Sequence, residues 1–153
     1  LTRPQPLEVP AGTTVRGALE ALGRHLAGAY FGSLPEAPGG VRIEVKALHL
    51  LPLGSRSARV AVVDLVDPEA RALTQFFQGS AGGQTTYCML AATLLQPQHA
   101  PPLVDGLIVL YNGSEFPELD HIDLTGIVTP APVRPLVAAA LHRSGRAAAA
   151  AAD

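Results

Sequence analysis

The chain has little of several residue types on which common functions depend. It contains one cysteine and no tryptophan, and its 11 basic residues are mixed with 13 acidic ones. A single cysteine, Cys88, excludes an internal disulfide framework and a cysteine-rich zinc site. Because the net charge is −2 and no basic stripe is present, we expect no nucleic-acid partner. No apolar run approaches the ~20 residues that a membrane-spanning helix needs.

What the chain does have is enough apolar content for one core. It is 153 residues long and 48% hydrophobic, and a domain of this size buries on the order of two thirds of its unfolded surface. Neither a metal ion nor a disulfide is needed for stability. We therefore expect one soluble domain.

The first half predicts a helix followed by two strands. Thr13 or Thr14 can cap a helix that ends near Gly28 and whose apolar positions recur at helical spacing: Val15, Ala18, Leu19, Leu22 and Leu26. A Gly/Pro-rich loop then runs from Ala29 to Gly40, through Pro35 and Pro38. Strands are predicted at Val41–Leu51 and Arg59–Leu65, antiparallel around a turn at Pro52–Ser57. Alternation places one set of side chains on a single face: Val41, Ile43, Val45 and Ala47. His49 is in phase with that face and is expected to be partly buried.

The second half predicts two helices. Asp67-Pro68-Glu69 is typical of a helix start, and the short helix that follows should turn four residues inward: Ala70, Leu73, Phe76 and Phe77. Gly79 should end it, and the glycine-rich stretch Gly79–Thr85 should form an interhelical turn. A second helix at Gln84–Gln96 then buries Tyr87, Leu90, Ala91 and Leu94, with Cys88 as a small buried apolar residue. Pro97 ends this helix.

The most informative stretch is Gly106–Pro130, GLIVLYNGSEFPELDHIDLTGIVTP. An apolar strand leads into Asn112-Gly113, a pair that favours a tight hairpin turn because both residues tolerate positive φ. The chain should return through Ser114–Leu119, with Pro117 confining that strand to an edge. In an extended His121-Ile122-Asp123-Leu124, Ile122 and Leu124 share one face, and His121 and Asp123 share the other.

This stretch resembles the end of a GerMN domain, which typically closes with a strand, a Gly turn and a Gly-His-Ile-Asp-Leu-Ser-like segment. Asp120 stands in the Gly place and Thr125 in the Ser place. Val63-Asp64-Leu65 and Ala91-Ala92-Thr93-Leu94 also resemble family segments, so the likeness covers about Thr14 to Pro130. The chain departs from the family where the usual opening strand is reduced to Pro6-Leu7-Glu8-Val9, and where Ala29 replaces a common Pro.

The resemblance implies a domain at 1–130 and, beyond it, a short helix with an Ala-rich tail at 131–153, where Val133–Leu141 is the helical part. The expected fold class is α+β, with two main helices on one face of a small, mainly antiparallel sheet, similar to ring-building motifs. The implied function is a non-catalytic module of the bacterial envelope that mediates protein assembly. The expected location is extracytoplasmic, as a periplasmic or lipid-anchored protein, and a targeting or anchoring segment ahead of Leu1 is compatible with it.

The expected partners are other envelope proteins or further copies of the chain, with peptidoglycan as another candidate. The predicted contact surface consists of polar residues of the closing hairpin: Asn112, Glu115, Glu118, Asp120, His121 and Asp123. These carboxylates and His121 lack a second His at ligand spacing, so we expect no metal site, no cofactor and no catalytic residues. The alternatives are a glycan-binding module of the cell wall and, with least support, a hydrolase.

Overall fold

The computed structural model describes residues 7–32 and 39–150. Part of the predicted loop between Ala29 and Gly40 therefore lies outside the described residues. Pro6 and the last three residues of the tail also lie outside them. The elements in chain order are α1 (Val15–Ala29), β1 (Arg42–Leu53), β2 (Arg56–Val66), a short π-helix (Ala72–Phe76), α2 (Gly79–Leu95), β3 (Gly106–Tyr111), β4 (Ser114–Glu115) and α3 (Pro130–Ala150). Residues 7–9, at the place of the family's opening strand, are not a strand and are exposed.

The four strands form one mixed sheet in the order β1-β2-β3-β4. β1 and β2 are antiparallel, β2 and β3 are parallel, and β3 and β4 are antiparallel. The parallel pair requires a crossover connection, and the π-helix and α2 supply it. The prediction that the three main strands lie in one sheet is confirmed.

Both main helices cover the same face of this sheet. Leu19 and Leu26 of α1 and Leu90 and Leu94 of α2 join one buried cluster with inward strand residues such as Val63. Thr14 caps α1, since its Oγ1 accepts the Gly17 N–H at 3.1 Å. The predicted α+β architecture is thus confirmed, and so is the burial of Leu90, Ala91, Leu94 and Cys88.

A β-bulge in β1 contradicts the predicted face of two residues. Val45 pairs with Val63, but the next register pair is Ala47 with Val62, so Lys46 is an extra residue. One extra residue moves every later side chain to the opposite face. Ala47 and His49 therefore lie on the face away from the helices, and His49 is exposed rather than partly buried.

The β1–β2 hairpin is also longer than predicted. The strands continue to Leu53 and Arg56, and the chain reverses at Gly54 and Ser55 instead of over Pro52–Ser57. Gly54 has φ of 60°, as a two-residue hairpin turn with Gly at its first position requires. Pro52 is accordingly part of the strand.

The start of the crossover differs from the predicted pair of helices. Ala70 has φ of 53° and is exposed, whereas Ala72 is fully buried. Gly79 begins α2 instead of ending the preceding helix, and the glycine-rich stretch forms the first turns of α2. A Cβ on Gly83 would lie 2.4 Å from Cδ1 of Ile122, so tertiary packing explains why glycine occupies this helical position.

The C-terminal helix is longer than the predicted Val133–Leu141. α3 extends from Pro130 to Ala150 and packs on α2, where Val133 is fully buried. The Arg134 Nε–H donates to the Pro97 carbonyl at 3.2 Å, which ties α3 to the end of α2. None of the described helices is long and apolar enough to cross a membrane.

Candidate functional site

The predicted hairpin turn is present at the end of β3. Asn112 and Gly113 have φ of 48° and 78°, as the Asn-Gly signal predicts. The return strand is much shorter than Ser114–Leu119, because β4 contains only Ser114 and Glu115. Phe116 then turns into the core at 2% exposure, and Pro117 cannot donate a ladder bond. We call residues 112–124 the closing segment.

The Asp64 carboxylate and the Asp67 backbone hold this turn against the end of β2. Asp64 Oδ1 accepts the Gly113 N–H at 2.9 Å. Asp67 donates its own N–H to Asn112 Oδ1 at 2.7 Å, and its carbonyl accepts from Asn112 Nδ2 at 3.1 Å. Both polar groups of the Asn112 side chain therefore bond to Asp67, although the residue is exposed. Asp64 and Asp67 are 3% and 1% exposed, so burial strengthens the electrostatic interactions of both carboxylates.

The Asp67 carboxylate also organises the crossover. Its oxygens accept the N–H groups of Arg71 and Ala72 and the hydroxyl of Tyr111, each at 2.8 Å. Burial, followed by the hydrogen bond to Asp67, raises the pKa of Tyr111 to about 12. The helix-start pattern at Asp67 predicts its role at the crossover, but nothing local predicts the bond to Tyr111. For Asp64 a signal was available, since this residue interrupts an otherwise apolar strand and needs buried donors there.

The other predicted contact residues of the closing segment lie on the surface. Glu115, Glu118, Asp120, His121 and Asp123 are exposed, whereas Leu124 is buried and Ile122 is partly buried. The predicted division of His121 and Asp123 from Ile122 and Leu124 is confirmed. The backbone here is a tight turn closed by a bridge between Leu119 and Ile122 rather than a strand.

Asp123 stabilises the next turn. Its Oδ1 accepts the N–H of Thr125 at 2.8 Å and the Thr125 hydroxyl. The hydroxyl bond and then the backbone bond lower the pKa of Asp123, because both favour the ionised form. Asp123 therefore accepts a backbone donor within its own turn.

A shallow cleft separates the closing segment from the start of α2. It has a volume of about 180 Å³ and is lined on one side by residues 77–79 and on the other by residues 119–122. Pockets that bind small molecules are typically about 300–1,000 Å³. Within residues 7–32 and 39–150, no three His, Cys, Asp or Glu side chains are grouped as metal ligands.

The opposite edge of the sheet carries a different surface, which the sequence analysis did not identify. β3 begins to pair with β2 only at Val60, so residues 50–59 of the β1–β2 hairpin project beyond β3. We call this projection the hairpin arm. Its three leucines, Leu50, Leu51 and Leu53, are 68%, 42% and 52% exposed. In the described part of the chain, no strand pairs with the outer edge of β1.

The charged residues of β1 lie before the arm. Lys46, at the bulge, contacts Glu44 at 2.8 Å and Asp64 at 3.7 Å. The hydrogen bond from Lys46 lowers the pKa of Glu44, and the same bond raises the pKa of Lys46. Arg16 of α1 donates to the Val45 carbonyl at 2.7 Å and so occupies one outward group of the edge.

Comparison with protein-family models, with curated proteins and with solved structures finds no match for this chain. The resemblance to GerMN domains rests on the order of its short motifs. It stays a prediction, as do the envelope location and the assembly function that it implies.

Proposed function

We propose that this chain is a non-catalytic, GerMN-like module of the bacterial cell envelope, located outside the cytoplasm, which assembles with other proteins. The observation that carries this proposal is the hairpin arm, with three exposed leucines beside a strand edge on which no strand of the described residues pairs. Native proteins usually cover or charge such an edge, because its free backbone groups pair with other chains. An edge left open next to exposed apolar side chains is a typical feature of recognition by strand addition.

The closing segment is the second surface of the proposed module. Its exposed carboxylates and His121 lie at the far side of the sheet from the arm, because β4 and β1 occupy opposite edges. Asp64 and Asp67 hold the turn in one conformation, so a partner would meet a preorganised surface.

A glycan-binding module has less support. Sugar sites usually need exposed aromatic faces, but the three Tyr and four Phe are all buried or partly buried. Five ring pairs among them pack against each other at centroid distances of 5.0 to 5.7 Å, inside the fold.

The proposal can be tested by photocrosslinking in the bacterium that encodes the chain. The full-length gene product would carry a photoreactive residue at Glu118, at Leu53 or, as a control on α1, at Arg24. We expect the product in the envelope fraction, with crosslinks to defined envelope proteins from Glu118 or Leu53 and none from Arg24. His121→Ala should weaken the Glu118 crosslink without changing the melting temperature. A cytoplasmic product, or equal crosslinking from all three positions, would overturn the proposal.

A further inference from the structure

The hydrogen bonds of Arg59 show which backbone groups of β1 face outward. The Arg59 N–H donates to Asp105 Oδ2 and its carbonyl accepts the Asp105 N–H, both at 2.8 Å and both on the side toward β3. Arg59 is the register partner of Leu50. In an antiparallel ladder such a pair is not hydrogen-bonded, so the N–H and C=O of Leu50 point to the open edge. By alternation, the backbone groups of Leu48 and Pro52 face outward as well.

Two features limit the accessible edge to five residues. On one side the Lys46 bulge interrupts the ladder and Arg16 occupies the Val45 carbonyl. On the other side Pro52 has no N–H to offer. Between them lies Ala47-Leu48-His49-Leu50-Leu51, which contains no Lys, Arg, Asp or Glu. Charges, a bulge and a proline commonly protect edge strands, and here they flank this segment without covering it.

We propose that the same segment of a second copy of this chain docks on this edge, in antiparallel pairing about a twofold axis at His49. The inference rests on the proposed assembly function and names the partner of the β1 edge. In this register Leu48 is opposite Leu50 of the second copy, and all outward N–H and C=O groups of both residues are satisfied by four hydrogen bonds. If Leu48 instead met Pro52, its carbonyl would have no donor.

The side chains agree with this register. Leu48 pairs with Ala61, which faces the helices, so Leu48 and Leu50 are both on that face. Leu50, at 68% exposure, would pack on Leu48 of the second copy, which itself packs against the core. On the other face Leu51 meets Ala47, and the two His49 side chains lie opposite each other.

Charge favours a second copy as the occupant. An uncharged segment can pair with itself without placing like charges opposite each other, whereas Arg42, Glu44 and Lys46 lie outside the paired residues. A five-residue strand pair buries less than the ~1,000 Å² typical of stable interfaces. We therefore expect a reversible dimer with a Kd between about 1 μM and 1 mM.

The decisive experiment is a charge swap at the axis, followed by sedimentation velocity over a concentration series. It is run at about pH 8. His49→Lys and His49→Glu each place two like charges directly opposite, about 4.5 Å apart between Cα atoms. We expect each variant alone to dimerise at least about tenfold more weakly than the unmodified chain, and their equimolar mixture to dimerise at least as tightly as it does.

Leu50→Pro removes both the outward N–H of Leu50 and the side chain that would pack on the second copy, and it leaves the β1–β2 hydrogen bonds intact, because the sheet does not use that N–H. It should weaken dimerisation about tenfold or more, and Leu53→Ser, outside the paired segment, should change it less than about twofold. Amide exchange at Leu48 and Leu50 should slow as concentration rises.

A chain that stays monomeric at about 1 mM, a mixture that fails to restore dimerisation, or open-ended growth with concentration would overturn the inference. Envelope crosslinks from Glu118 that persist in His49→Lys would show that the proposed function stands even if self-pairing fails.

Discussion

Asp67→Asn tests whether the buried carboxylate holds the crossover and the closing turn together. The substitution keeps the shape of the side chain but replaces one acceptor oxygen by an NH₂ group. In the less costly orientation, this group replaces Oδ1 and faces the N–H of Arg71, which loses its partner. The remaining oxygen keeps its bonds to Ala72 and Tyr111 without the assistance of a charge.

The expected loss follows from these bonds. A buried N–H left unpaired costs about 1 to 3 kcal/mol, and hydrogen bonds to a charged group are roughly twice as strong as neutral ones. We expect Asp67→Asn to lower the free energy of unfolding by about 2 to 4 kcal/mol. For a chain of this length, that corresponds to a fall in Tm of about 4 to 16 °C.

Urea denaturation followed by far-UV circular dichroism measures this difference. Asp120→Asn is the matched control, because Asp120 is exposed and the same chemical change there should alter stability by less than about 0.5 kcal/mol. If Asp67→Asn cost less than about 1 kcal/mol, the carboxylate would not be what holds the start of the crossover against Tyr111, and the turn would be held by the Asp64 carboxylate and the Asp67 backbone.

Four further results are expected. Gly83→Ala should destabilise the fold by less than about 1 kcal/mol, because the Cδ1 of Ile122 that its Cβ would meet is the end of a side chain that can turn aside, and alanine favours the helix; Ile122→Val, which removes that methyl group, should recover the loss in a double-mutant cycle. Leu94→Ala should cost about 2 to 5 kcal/mol in urea denaturation, since Leu94 is fully buried; a loss below about 1 kcal/mol would contradict its place in the core. Tyr111 has a folded pKa of about 12 against an ordinary value of 10.0, so its contribution to stability is complete below pH 10.0 and is lost as pH rises toward about 12. In an ultraviolet titration, Tyr111→Phe should remove the tyrosine ionisation step that occurs at the highest pH. The pKa of Asp123 is below its ordinary value of 3.8, so its contribution is present above that pH and is lost as pH falls through the folded pKa; a carboxyl NMR titration with a midpoint at or above 3.8 would contradict the Thr125 bonds.

Local signals explain the parts of the fold that could be predicted from the sequence. The Thr14 cap, the Asn112-Gly113 turn and the apolar strand before it depend on residues adjacent in sequence. Alternation also predicted that His121 and Asp123 lie on the face opposite to Ile122 and Leu124, and in the structure the first pair is exposed and Leu124 is buried. Such features require no knowledge of distant contacts.

Long-range contacts explain what could not be predicted. The bulge at Lys46 depends on how β1 meets β2, and the Val45 carbonyl beside it accepts from Arg16 of α1, 29 residues away. Intrinsic preference predicts a turn for the glycine-rich stretch, but it is helical, and its Gly83 packs against Ile122, 39 residues away in sequence. The pairing of Asp67 with Asn112 joins residues 45 apart in sequence. No local pattern contains these partners.

The two edges of the sheet suggest how motif and function are related in this chain. At the β4 edge, Asp64, Asn112 and Gly83 belong to recognisable sequence patterns, yet each is engaged in holding the closing segment against β2 or α2. At the β1 edge, the arm matches no motif, and its exposed leucines have no partner within the described fold that buries them. Substituting the motif residues should therefore weaken association by destabilising the fold. Substituting residues of the arm should change association and leave stability intact. If association and the free energy of unfolding are measured for the same variants, a residue that changes both belongs to a structural motif. A residue that changes association alone belongs to a binding surface.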